Sequence, residues 1–316
     1  MNLSVNVAGL KLKSPVISAS GILDETGDSM VALAKGGAGA VVTKSIGLKA
    51  REGHKNPTVV ELEHGVLNAM GLPNPGIDDY GEEIRAAKEG ITRMLKGAGA
   101  GSGAHVPIIA SIFGADAQEF AVLAKRMQEY GADALELNVS CPHAKGYGAQ
   151  IGTDPVLVSE VTKAAKSAAR IPVFVKLTPN VNNIVPIASA AADGGADGVV
   201  AINTVKAMTI DIETGMPILG NRTGGYSGPA VKPIGVRCVY DIAKELKIPI
   251  IGVGGIMTGK DAIEYIMAGA SAVQIGSAIY YRGNDVFRKA AKEIGNWLTA
   301  HRYESLDEIR GIALRR

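Results

Sequence analysis

Four times along this chain a stretch of helical periodicity closes on Gly-Ala and passes within two small or polar residues into an apolar run: GAGAVV from Gly37, GADALE from Gly131, GADGVV from Gly195 and GASAVQ from Gly269. A glycine there permits the left-handed cap that ends many helices, and the alanine permits close approach of helix to sheet. A unit that ends helices and starts strands in the same way, again and again, belongs to an architecture of equivalent repeats. The strands are the short runs PVISAS, AVVTKS, VPIIASI, ALELNVS, PVFVKL, GVVAINT, PIIGVGG and AVQIGSA, eight in all. Helical segments lie between most of them, among them 117–130, 156–169 and 231–246, so strand and helix alternate and the strands pair in parallel. Eight such units favour a closed (β/α)8 TIM barrel of the α/β class over an open doubly wound sheet, with residues 1–316 as one domain.

Local signals agree with this division. Asp116 can cap a helix with Glu119 three residues on, and Asp154 supplies a cap followed by Pro155 at the first helical position. Long connections follow the second strand (46–105), the fourth (142–171) and the sixth (205–248). In a barrel the loops after the strands carry the site, so substrate specificity is expected in these three. The tract GAGAGSGA from Gly97 reads as a surface turn rather than a phosphate loop.

Composition narrows the function class. The 33 basic and 31 acidic residues give a net charge of +2 with no block of like charge, which argues against nucleic-acid or membrane-surface partners. Only two cysteines occur, Cys141 and Cys238, which points to a reducing, cytoplasmic compartment with no disulfide framework. The N-terminal MNLSVNVAGLKLKSPV alternates polar and apolar residues and lacks the continuous apolar run of a signal peptide. No stretch approaches the roughly 18 uninterrupted apolar residues of a membrane-crossing helix.

The strand bodies are apolar, so polar residues at their C-terminal ends mark the wet mouth of the barrel. Lys44 and Lys176 each close an apolar strand, where an ammonium is costly to desolvate unless something anionic meets it. Two such lysines point to an electron-rich ligand; pairing with a carboxylate such as Glu136, or reaching to solvent, is the other reading. Asn138 and Asn203 close the fourth and sixth strands, and Asn68 lies in NAMGLPN. An amide suits the edge of a planar heterocycle and equally suits a turn or cap. The glycine-rich turns GVGGI and IGSA after the seventh and eighth strands suit a phosphate held by backbone N–H groups and a helix N-terminus.

An unpaired cysteine is usually a small buried hydrophobe, and Cys238, inside an amphipathic helix, fits that reading. Cys141 stands elsewhere. It lies just past a strand end, before Pro142, at the start of a loop containing Lys145, Gly146, Gly148 and Gly152. Such a loop suits a lid, and a thiol with a reference pKa of about 8.5 can exchange a proton near neutrality.

In combination and order, SASG (18–21), TKS (43–45), NAMGLPN (68–74), NVSCPH (138–143), VKLTPN (175–180), INT (202–204), GGYSGPAVKP (224–233), GVGGI (252–256) and IGSA (275–278) resemble the class 1 dihydroorotate dehydrogenases, FMN enzymes of pyrimidine synthesis. The resemblance runs over essentially the whole chain. It implies oxidation of (S)-dihydroorotate to orotate, with Cys141 removing the C5 proton while the C6 hydride passes to FMN, one per chain. It assigns substrate contacts to Lys44, Asn68, Met70, Gly71, Leu72, Asn138, Asn203 and Thr204. Ser20, Lys44, Ser45, Asn138, Lys176 and Ile202 would line the flavin ring, and Gly228, Gly254, Gly255, Gly276 and Ser277 would hold its phosphate.

Class 2 members, with serine at the position of Cys141 and an N-terminal membrane extension, fit less well. IGTDP (151–155) and the run NTVKAMTIDIETGMPILGN from Asn203 look most like the 1B type, which implies a homodimer working with a separate subunit that carries FAD and an iron–sulfur cluster and passes electrons to NAD. Two cysteines are too few for a cluster on this chain. Three positions depart from the common pattern: His143 stands where many members have asparagine, Ser111 where an amide often approaches the flavin, and Ser277 where threonine is common. His143 also occurs in the barrel domain of dihydropyrimidine dehydrogenases, so uracil-type substrates are an alternative. A Schiff-base lyase using Lys44 or Lys176, and a non-catalytic phosphate-binding barrel, are the readings from other classes.

Overall fold

The computed structural model describes residues 2–99, 105–139 and 151–315. Cys141, His143, Lys145, Gly146 and Gly148 lie outside the described residues, as does the 100–104 part of the Gly-rich tract. Eight parallel strands form one sheet: β1 (Val16–Ser18), β2 (Val41–Val42), β3 (Ile108–Ile112), β4 (Ala134–Asn138), β5 (Val173–Leu177), β6 (Gly198–Ala201), β7 (Ile250–Val253) and β8 (Ala272–Ile275). Their order around the sheet is β1-β8-β7-β6-β5-β4-β3-β2. The two ends then meet: Gly39 N–H donates to Val16 O at 2.8 Å, Ser18 N–H to Ala40 O at 3.1 Å, and Val42 N–H to Ser18 Oγ at 3.0 Å. The expected closed barrel is therefore what forms.

Helices alternate with the strands: α1 (Gly27–Lys35), α2 (Ile77–Gly97), α3 (Ala117–Glu129), α4 (Pro155–Ala168), α5 (Val185–Asp193), α6 (Lys232–Glu245), α7 (Gly259–Ala268), the short α8 (Ala278–Arg282) and α9 (Val286–Ala300). The Gly-Ala signal has one structural meaning at all four sites. Gly37, Gly131, Gly195 and Gly269 take φ of +99°, +95°, +89° and +124°, and each following alanine donates its N–H to the carbonyl five residues back, at Leu33, Met127, Ala191 and Tyr265. This is the Schellman closure of a helix. In the two GAD copies the aspartate does further work, since Asp133 and Asp197 accept the N–H groups of Ile108 and Val173, both at 2.8 Å, tying each helix end to a neighbouring strand. Asp116 and Asp154 cap α3 and α4 as their sequence predicts, although Glu119 accepts from Ala115 N–H rather than from its capping partner.

Side chains alternate across each strand with period two. Outward residues such as Ala110, Leu135, Leu137, Val175 and Val199 pack beneath the helices, and inward ones such as Ile109, Ala134, Phe174, Val200 and Ile251 fill the bore. An N-terminal hairpin, Val5–Val7 paired with Leu10–Leu12, adds Val7, Leu10 and Leu12 to the bore packing and closes its lower end. At the other end, four short antiparallel strands form a cap sheet in the order Val205–Ala207, Gly224–Ser227, Gly65–Asn68, Val59–Leu62. Two of the long connections thus pair with each other over the mouth. Cys238 is buried on α6, and burial pushes its thiol up to about 11, which suits the structural role expected of it.

Candidate active site

Going up the bore, polar residues join the inward positions of the upper layers: Ser111 on β3, Glu136 and Asn138 on β4, Lys176 on β5 and Gln274 on β8. A cavity of about 610 Å³ opens above them beneath the cap sheet. Of the residues the sequence singled out, Ser20, Lys44, Ser45, Asn68, Met70, Gly71, Leu72, Asn138, Lys176, Ile202, Asn203, Thr204, Gly254, Gly255, Gly276 and Ser277 all line it. Gly228 sits just behind the wall, and Cys141 lies outside the described residues.

The polar side chains are already connected. Ser45 Oγ lies 2.7 Å from Ser111 Oγ and 3.4 Å from Ser20 Oγ, and accepts the Asn138 amide at 3.0 Å. The Asn203 amide donates to Asn138 Oδ1 at 3.5 Å, while its own Oδ1 accepts Thr204 N–H at 2.8 Å. Asn68 donates to Gly225 O at 3.3 Å, which anchors it in the cap sheet. The loop that follows is held by buried Asn74, whose Oδ1 accepts Gly47 and Gly76 N–H and whose Nδ2 donates to Leu72 O at 2.9 Å. Leu72 itself has φ +58°, a left-handed conformation that a branched side chain rarely takes and that the surrounding contacts impose.

The two lysines differ. Lys176 faces Glu136 Oε1 at 3.3 Å in the buried floor, so pairing with a carboxylate and lining the cavity prove to be compatible. Lys44 lies near the mouth, 3.9 Å from the exposed Glu25 carboxylate. Beneath it Asp24 is buried: Gly21 N–H donates to its Oδ2 at 2.5 Å, and its carbonyl accepts both Lys44 N–H and Tyr80 O–H. Burial pushes the Asp24 carboxyl up to about 6, with the Gly21 hydrogen bond and the Lys44 charge pulling the other way.

The glycine turns form the other part of the cavity. Gly254 and Gly255 follow β7, and Gly276 and Ser277 follow β8, its neighbour in the sheet. A Cβ on Gly255, at φ +66°, would sit 2.7 Å from both Gly228 O and Lys232 N, so only glycine lets these backbones approach. The expected helix N-terminus behaves differently. The start of α7 is filled by carboxylates, Asp261 of the helix itself accepting from Met257 and Thr258 N–H and Glu293 of α9 from Gly259 N–H at 2.6 Å. The N–H groups of Gly255, Gly276 and Ser277 instead make no hydrogen bond among the described residues, so these donors face the cavity uncommitted.

Sequence reading overlooked Gln274, Glu61 and Tyr280 as lining residues. Tyr280 O–H donates to Glu61 at 2.8 Å across the cavity edge. Nothing local announces that contact, because the two residues are brought together only by barrel closure.

The family model described as Dihydroorotate dehydrogenase matches residues 2–298 of the chain. The dihydroorotate dehydrogenase B (NAD(+)) catalytic subunit of Methanocaldococcus jannaschii is 56% identical over 311 residues, covering 98% of each chain. Its counterpart from Methanocella arvoryzae is 55% identical over 315 residues, covering 100% of this chain and 99% of its own. Among solved structures, a crystal structure of DHODH in complex with ferulenol from Eimeria tenella superposes with a TM-score of 0.83 at 27% identity, covering 100% of this chain and 89% of that one.

Proposed function

Because the chain belongs to the flavin-dependent dihydroorotate dehydrogenase family, we propose that it oxidises (S)-dihydroorotate to orotate in pyrimidine biosynthesis, as the FMN-holding catalytic subunit of an NAD-linked enzyme. The observation that carries this reading is the donor set of one cavity: an ammonium, hydroxyls and amides on its floor, and a glycine cradle after β7 and β8 that a Cβ would fill. That set fits FMN. Lys176, Ser45, Ser20, Asn138 and Ile202 would hold its ring, and the N–H groups of Gly255, Gly276 and Ser277 its phosphate, with Gly254 and Gly228 allowing the close approach. When bound, FMN supplies the acceptor for the hydride leaving C6.

The remaining work falls to the chain's own side chains. Lys44 offers a cation to the substrate carboxylate, and Asn68, Asn203 and Thr204 offer donors and acceptors to the ring, with Asn138 reaching from the floor. Met70, Gly71 and Leu72 close over it from the loop that Asn74 fixes. Cys141 removes the C5 proton, so the C5–C6 bond becomes double once hydride has left C6. Schiff-base chemistry fits poorly at Lys176, whose ammonium is engaged by Glu136.

Electrons leave through a separate subunit that carries FAD and an iron–sulfur cluster, and two copies of this chain pair within the complex. The relatives' designation as a catalytic subunit and the two cysteines of the sequence support this. Among the described residues no helix is long and apolar enough to cross a membrane, and we place the enzyme in the cytoplasm. Stopped-flow reduction under anaerobic conditions tests the assignment of the base. Cys141→Ala is expected to keep the flavin band and slow its reduction by dihydroorotate by roughly 10²- to 10⁴-fold; reduction at the wild-type rate removes Cys141 from that role.

A further inference from the structure

Beneath the cavity lies a buried polar group that the chemistry above does not use. Glu136 is fully buried; its Oε2 accepts the Gln274 amide at 2.6 Å and its Oε1 faces the Lys176 ammonium at 3.3 Å. Lys176 comes from β5, next to β4, whereas Gln274 comes from β8, four strands away in the closed barrel, so the Glu136–Gln274 hydrogen bond spans the bore. A buried ion pair is a poor source of stability, since apolar residues of like volume often serve as well or better. The layer below shows as much, for Ile17, Ile109, Phe174 and Ile251 fill the same bore without any polar atom on their side chains. Stability therefore does not account for a carboxylate and an amide at this level.

We propose that Glu136, braced across the barrel by Gln274, is a positioning residue that fixes the Lys176 ammonium at the cavity floor, where the ammonium sets the affinity and reduction potential of the bound flavin. A lysine stem has four flexible carbons and a point charge at its end, so an ammonium left to itself samples many positions. Glu136 selects one of them, and the long-range hydrogen bond to Gln274 stops the carboxylate from following the lysine if it moves. A fixed cation beside the flavin favours the reduced, more negative form. The inference rests on the flavin reading given above.

The test measures FMN dissociation constants and midpoint potentials of reconstituted wild type, Glu136→Gln, Lys176→Met and the double variant. Lys176→Met should weaken FMN binding about tenfold, equivalent to about 1.4 kcal/mol, and make the potential more negative. Glu136→Gln should shift both in the same direction by a smaller amount, and should add nothing in the Lys176→Met background, because it acts through that lysine. An unchanged potential in Glu136→Gln, a more positive one, or the same increment in both backgrounds overturns the proposal. If Glu136→Gln does not fold, Gln274→Leu removes only the brace and carries the same comparison. Wild-type protein that takes up no FMN would instead strike at the flavin reading itself.

Discussion

Two layers of one bore, built on the same strands a few ångströms apart, have opposite characters. The lower layer, with Ile17, Ile109, Phe174 and Ile251 above the hairpin residues Val7, Leu10 and Leu12, is wholly apolar. The upper layer carries Ser111, Glu136, Lys176 and Gln274, all buried and all polar. Backbone geometry is shared, since both layers are the inward-facing positions of parallel strands. What separates them is the end of the barrel they occupy: the hairpin seals one end, and the other opens into the cavity. The lower layer holds the barrel together, and the upper layer brings charge and hydrogen-bonding groups to the floor of the cavity.

Substitutions should therefore separate by layer. Phe174→Ala should be the most costly to stability, lowering unfolding free energy by about 3–5 kcal/mol with FMN affinity little changed. Denaturant unfolding of apo-protein reads the first and flavin titration the second; a large loss of affinity would show that the layers are not separable. Asp24, at the mouth, tests whether a polar group there is held against stability. Its carboxyl sits at about 6 in the folded chain against an ordinary value of 3.8, so the unfolded chain ionises first and stability falls as pH rises through this interval. Asp24→Asn has no such loss, and its stability relative to wild type should improve by up to about 3 kcal/mol between pH 4 and 7. Parallel pH profiles for the two proteins would refute this. Gly255→Ala should show the smallest effect on stability, about 1–3 kcal/mol from its positive φ and the tight contacts of a Cβ, and should weaken FMN binding. Equilibrium dialysis against FMN checks it, and unchanged binding would remove the glycine turn from the phosphate site.

The lower layer was much the easier to read from sequence. Its strands are apolar runs bounded by Gly-Ala closures, and the local hydrogen bonding that makes those closures is encoded within six residues. Lys44, Lys176, Asn138 and Asn203 were visible for the complementary reason, as polar residues ending apolar strands. Glu136 and Gln274 sit inside ALEL and AVQI, where a polar residue equally suits a strand with one wet face, and only closure of the barrel turns both inward. The cap sheet looks like loops in the sequence because Gly65–Asn68 pairs with Gly224–Ser227 across more than a hundred intervening residues, and the latter begins with two glycines of low strand propensity. The N-terminal hairpin did leave a signal. Val5, Val7, Leu10 and Leu12 alternate about Ala8-Gly9, both at positive φ, a two-residue hairpin turn.

The upper layer and the mouth above it are claimed as a flavin site that takes electrons from dihydroorotate. Anaerobic titration of the FMN-loaded protein, followed at the flavin absorption band, tests this most directly. Stepwise bleaching by (S)-dihydroorotate, with no response to dihydrouracil, is the predicted result. A band that dihydroorotate leaves untouched, or that dihydrouracil alone bleaches, would contradict it.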